Sequence, residues 1–113
     1  MTITSPSDTI VLFNAQTTDG NSTAANLTYS NHKACVKIFG TFNGATIALQ
    51  VAAPTNVLAS TWLPLKDRNG NVISATAAAV FFIEDMVYDD QIRAVQSSSG
   101  ASTSLYCTLQ PTG

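Results

Sequence analysis

Apolar residues recur at every second position in short runs along this chain, and clusters of Gly, Asn, Asp, Ser and Pro separate the runs. Period-two alternation marks a strand with one buried face, whereas no long window repeats at helical spacing. The pattern predicts strands near Thr9–Ala15, Leu27–Ser30, Lys33–Phe42, Ala45–Ala52, Thr61–Lys66, Asn71–Thr76, Val80–Ile83, Gln91–Gln96 and Thr103–Leu109. Short strands at this spacing predict an all-β domain, a single antiparallel β-sandwich of Ig-like or jelly-roll-like form built from hairpins. One domain accounts for residues 1–113, with 1–8 as a short N-terminal arm and 110–113 as a short tail. No internal repeat divides it.

Two stretches carry a register. In "VKIFGTFNGATIALQ", Asn43-Gly44 is a strong signal for a two-residue type I′ turn. A hairpin closed there would oppose Phe42 to Ala45, Gly40 to Ile47, Ile38 to Leu49 and Val36 to Val51, an apolar face for the core. The other face would set Cys35 against Ala52, Lys37 against Gln50, Phe39 against Ala48 and Thr41 against Thr46. In "TWLPLKDRNGNVISAT" a three-residue loop, Arg68-Asn69-Gly70, fits better, with Gly70 left-handed. It pairs Leu65 with Ile73 and Leu63 with Ala75. Pro64 cannot donate to a ladder, so its strand belongs at a sheet edge or a bulge.

Composition narrows the function classes. Only 11% of residues are charged, against about 25% in an average soluble domain. A surface built from Thr, Ser, Asn and Ala suits packing against other copies or partners. The formal net charge is −2, and the five basic residues form no cluster, which argues against nucleic acid and anionic membrane surfaces as partners. No apolar run approaches the roughly 20 residues of a membrane span. "MTITSPSDTI" has neither a basic n-region nor an apolar h-region, so the expectation is a full-length product without a secretory signal, folding in a cytoplasm. The sequons at Asn21 and Asn26 then signify only a Ser/Thr/Asn-rich loop.

Candidate chemistry is sparse. His32 is the sole histidine and no Gly-x-Ser-x-Gly elbow occurs, which leaves no acid–base–nucleophile set. His32 and Cys35 point to opposite faces of an extended strand, against a thiol–imidazole pair. Cys107 lies on the apolar face of the last strand and Cys35 on the polar face of its own, so a bridge between them is disfavoured and both read as free thiols. Glu84, Asp85, Asp89 and Asp90 cluster in "EDMVYDDQIR"; the EF-hand spacing and its Gly are absent, and a solvated loop with Arg93 beside Asp90 explains them. Any weak cation site would lie there. No cofactor, metal ligand set or catalytic residue is expected. More informative are aromatic residues off the core faces: Phe39, Trp62 and Tyr106. Such residues anchor interfaces or stack on sugar rings. Ile3 in the arm joins them as a candidate contact.

Taken together, "GTFNGATIALQ", "TWLPL" and "QIRAVQSSSGASTSLYCTLQ" resemble a pattern in small virion proteins of tailed bacteriophages. The resemblance runs from Val36 to Leu109 and departs in the acidic "EDMVYDD" segment and the Thr/Asn-rich first third. It implies a non-enzymatic structural subunit, present in many copies as a capsid decoration or cement protein, or as a head–tail or tail component. Its partners would be other virion proteins and copies of itself, and its location the virion, assembled in the host cytoplasm. The alternative is a carbohydrate-binding module for host attachment, with Trp62 stacking on a glycan and Asp89 or Asp90 bonding its hydroxyls.

Overall fold

The computed structural model describes residues 2–3, 9–27, 33–53, 61–67, 69–83 and 91–111. Among these the chain forms β1 (Thr2–Ile3), β2 (Ile10–Gln16), β3 (Gly20–Asn21), β4 (Ala25–Leu27), β5 (Ala34–Thr41), β6 (Thr46–Ala52), β7 (Trp62–Pro64), β8 (Ser74–Ala75), β9 (Ala79–Ile83), β10 (Gln91–Ser97) and β11 (Ser104–Pro111), with no helix. They make two sheets packed as a β-sandwich. The four-stranded sheet has the order β2-β11-β5-β9. The seven-stranded sheet runs β1-β4-β10-β6-β7, with β3 also against β10 and β8 also against β6. Every ladder is antiparallel except β1 with β4.

The alternation seen in the sequence becomes the core. Val36, Ile38, Leu105, Cys107 and Leu109 face inward from the smaller sheet, and Ile47, Leu49, Ile92 and Ala94 meet them from the larger; all are buried. Each large aliphatic side chain in that layer contributes about 1.5–3 kcal/mol by leaving water. β2 departs from strict alternation. Its register against β11 shifts between Phe13 and Gln16 and again between Val11 and Phe13, and Ala15 has φ 54°. The irregularity lets Leu12 and Phe13, adjacent in sequence, both turn inward, as an extra residue in one strand allows.

The main correction concerns "VKIFGTFNGATIALQ". The tight turn forms: Ala45 N–H donates to Phe42 O at 2.9 Å, with Asn43 at φ 46° and Gly44 at φ 89°. The flanking strands, however, do not pair. β5 is flanked by β11 and β9, and β6 by β10 and by β7 and β8. The turn is therefore an arch that carries the chain from one sheet to the other. Val36, Ile38, Ile47 and Leu49 are inward as expected, but they meet across the sandwich instead of side by side. The expected outer pairs dissolve: Phe39 stands opposite Tyr106, Lys37 between Thr108 and Val80, and Gln50 between Arg93 and Pro64. Phe39 and Ala48 thus occupy opposite outer surfaces. The physical reason is that β11 offers β5 a ladder over all eight of its residues, and a strand has only two edges.

The segment from β10 to β11 crosses between the sheets in the reverse direction, and the two crossings stack. Thr103 Oγ donates to Phe42 O at 2.8 Å and accepts from Gly100 N–H at 2.8 Å. A side chain at Gly100 would overlap Asn43.

The second register holds at its tip. Lys66 bridges Val72, Ile73 N–H donates to Leu65 O at 2.9 Å, and Gly70 has φ 82°. Asp67 organises the turn, its Oδ1 accepting from Asn69 N–H at 2.8 Å and Asn71 N–H at 3.0 Å. Asp67→Ala should cost about 1 kcal/mol, read as a lower urea midpoint at unchanged slope. At its base the hairpin opens, contrary to the expected Leu63–Ala75 pair. Leu65 N–H donates to Leu49 O and Leu49 N–H to Ile73 O, both at 3.0 Å; beyond this junction β7 and β8 each pair with β6. Pro64 sits in β7, at the sheet edge as expected.

The ends take part in the sheets. Thr2 and Ile3, in the short N-terminal arm, pair with Asn26 and Leu27. Gln110 and Pro111, expected in a tail, extend β11 against Cys35 and Ala34.

One inward position is polar. Gln96 follows Ile92 and Ala94 on the inner face of β10 and is 1% exposed. Its Nε2 donates to Gln16 O at 3.1 Å, Thr18 O at 3.3 Å and Ser99 Oγ at 3.1 Å. Among the described residues its Oε1 has no donor. The same corner holds Asp19, whose Oδ1 accepts from Ser99 N–H at 2.9 Å. Hydrogen bonds from the Ser99 side chain, then from the backbone, hold the Asp19 carboxyl below its usual range.

Candidate interaction surfaces

The outer face of the four-stranded sheet follows from its registers. Val11, Thr108, Lys37 and Val80 form one row across the strands, with Gln110, Cys35 and Phe82 in the next row and Tyr106 and Phe39 on the other side. Four of the six large apolar side chains exposed among the described residues lie here: Val11, Phe39, Val80 and Phe82. Phe82 is 64% exposed and Val80 55%. Phe39 and Tyr106 stack with centroids 5.2 Å apart and planes at 9°, an arrangement that makes one rigid aromatic plate of two side chains. Lys37 is the charged residue in these rows.

The groove beside Phe39 has a structural cause. β9 covers β5 from Ala34 to Ile38 only, so Phe39 borders an open groove of about 440 Å³ with Ala78 and Val80. A second cleft, of about 320 Å³, lies between Val80–Ile83 of β9 and the hairpin tip, with Lys66, Asp67 and Asn69.

Trp62 lies elsewhere, on the outer face of the seven-stranded sheet. Its ring is covered by Arg93, whose guanidinium carbon is 4.3 Å from the ring centroid. Arg93 Nε–H donates to Gln50 Oε1 at 2.8 Å. A cation over an indole face is attracted by its quadrupole, and the Gln50 bond fixes the guanidinium there. One face of the ring is thereby occupied.

Of the four expected contact residues, then, the structure unites Phe39 and Tyr106, sets Trp62 on the opposite side, and places Ile3 in a strand beside Leu27. No family model, curated protein or solved structure matches the chain. The surfaces therefore stand on their own chemistry. Val11, Val80 and Phe82 are the contact candidates that sequence reasoning missed. Val80 and Phe82 were legible as one face of their strand, but nothing local told which face was inward.

The thiols are where alternation set them. Cys107 is buried between Ile38 and Phe13, and burial pushes its ionisation up to about 12; Cys35 is half-buried on the outer face, and both are free. Among the described residues no three His, Cys, Asp or Glu side chains gather as a metal site. His32 and the acidic segment at Glu84, Asp85, Asp89 and Asp90 lie outside the described residues, as does any Arg93–Asp90 pair.

Proposed function

We propose that this protein is a non-enzymatic structural subunit of a bacteriophage virion, packed in multiple copies as a capsid decoration or cement protein or as a head–tail or tail component. The observation that carries the reading is the outer face of the four-stranded sheet, which exposes Val11, Val80 and Phe82 beside the stacked Phe39–Tyr106 pair. Enzyme sites converge a few polar groups in a cavity; this face instead exposes aromatic and aliphatic side chains of the kind that anchor packing surfaces. The low charge of the whole chain fits a life among neighbours.

The test is the composition of purified particles. The chain should be present in fixed stoichiometry, with the four-stranded sheet against a neighbouring subunit in a reconstruction. Val11→Lys combined with Phe39→Lys should leave the fold intact and reduce incorporation about tenfold or more, a loss of about 1.4 kcal/mol per contact set being enough. A protein found free and monomeric in infected cells, and absent from particles, overturns the reading. The carbohydrate-binding alternative has less support, because Arg93 already occupies a face of Trp62. It returns if a glycan screen gives binding that Trp62→Ala abolishes.

A further inference from the structure

We propose that β9 pairs antiparallel with β9 of a second copy of this chain, about a twofold axis at Phe81, joining the two four-stranded sheets into one continuous sheet. The proposal takes from the functional reading only that the chain meets copies of itself; the contact is a different surface, an edge instead of a face.

Three observations converge on it. β9 ends its sheet, with β5 on one side and no strand on the other among the described residues. In an antiparallel pair alternate residues bond the partner, so the intervening N–H and C=O groups of β9 point outward, a template that another extended backbone can pair along its whole length. Second, β9 borders open space: a cleft of about 320 Å³ lies along Val80 to Ile83, between them and Lys66, Asp67 and Asn69 of the hairpin. Third, "AVFFI" has none of the features that keep edge strands apart. It contains no Lys, no Pro and no charge, and no register shift marks a bulge in its ladder with β5; natural edges are usually blunted by one of these.

The register follows from self-complementarity. Centring the axis on Phe81 is the one antiparallel alignment that pairs all five residues of the strand, setting Ala79 against Ile83, Val80 against Phe82 and Phe81 against itself. The Val80–Phe82 contact occurs twice on the outer face, an aromatic against a β-branched residue, which is among the favourable cross-strand pairs. A twofold contact of this kind closes on itself. It also doubles the apolar outer face that the joined sheet presents.

Directly opposed residues have Cα atoms about 4.5–5.5 Å apart, within disulfide range, whereas Val80 and its own copy would be about 8 Å apart, beyond the ~7 Å limit. The experiment uses Val80→Cys and Phe82→Cys proteins, each in full-length chain carrying Cys35→Ser, since Cys35 faces Phe82 across the β5–β9 ladder and would capture a thiol there. Cys107 is buried and takes no part. Under mild oxidation the mixture of the two proteins should form covalent dimers, and each alone at least about tenfold fewer. Sedimentation of the parent chain should show a dimer, and Val80→Lys combined with Phe82→Lys should dissociate it without a change in β-sheet circular dichroism. A parent chain that stays monomeric at its highest soluble concentration overturns the proposal. So does crosslinking of either single protein as readily as the mixture, or a dimer that forms no crosslink in the mixture. Val11→Lys with Phe39→Lys should crosslink normally when added to the same pair of backgrounds, so loss of particle incorporation and loss of the β9 contact are read separately.

Discussion

Gly40→Ala is expected to lower stability by about 3 kcal/mol or more, or to prevent folding. Gly40 has φ 122°, a conformation that L side chains rarely adopt. Its position is also closed: an added Cβ would overlap the Ser104 carbonyl oxygen and stand 3.2 Å from Leu105 Cα and 3.3 Å from Tyr106 Cδ1. A long side chain could swing away, but Ser104 and Leu105 belong to the β11 backbone, which is held in register with β5 over eight pairs. Relief would need the ladder to part where the Phe39–Tyr106 stack begins. Gly20→Ala is the control. Its φ is unexceptional and its nearest neighbour would be Gln16 Nε2 at 3.7 Å, so its unfolding free energy from urea titration should differ from the parent's by no more than about 0.5 kcal/mol. Equal losses in the two variants would refute the account.

Gln96→Glu should be nearly as severe at neutral pH, about 3 kcal/mol or more. The glutamine amide donates to the Gln16 and Thr18 carbonyls and to Ser99. A carboxylate would set negative oxygen against two carbonyl oxygens in a site that is 1% exposed. Such a group prefers its neutral form, so its folded pKa lies above the unfolded value near ~4.3. The sign then follows. Below the unfolded value both states are protonated and the electrostatic penalty is absent; above it the penalty grows with pH until the folded pKa is passed. Denaturation of parent and variant at pH 4 and pH 7 should therefore show the difference between them shrinking at acid pH. A pH-independent difference would mean that packing, not charge, sets the cost.

Much of this fold was legible because alternation specifies which side of a strand is apolar. Val36, Ile38, Ile47, Leu49, Leu105 and Cys107 could be placed inward from the sequence, as could the Gly70 turn and the edge position of Pro64. Neighbours were less legible. Asn43-Gly44 specifies a sharp reversal, but a reversal with inward faces on both sides is equally consistent with adjacent strands and with strands in facing sheets. What decided between them was β11, more than 60 residues along the chain, whose eight-residue strand occupies the edge that β6 would have used. The same ambiguity left the sheet of each off-core aromatic open: Phe39 and Trp62 are both off the core, but on different sheets. Gln96 was legible in principle, since Ile92, Ala94 and Gln96 share one face of β10 and a polar residue in that row asks for partners.

The two stacked crossings have a consequence for the order in which the domain can form. β11, the last strand in the chain, lies between β2 and β5. Until it emerges, among the described residues β2 has no neighbour in its sheet, and β5 has only β9. A nascent chain that has been made as far as β10 holds most of the larger sheet with its apolar side uncovered. The smaller sheet is then completed in one late step, by a strand that must enter between two already present. Loop-closure entropy makes such distant pairings slow. Any chain cut short of Ser104 would hold the smaller sheet as a lone β2 and a β5–β9 pair with a gap between them over the core, and the completed sandwich depends on the arrival of its final eight-residue strand.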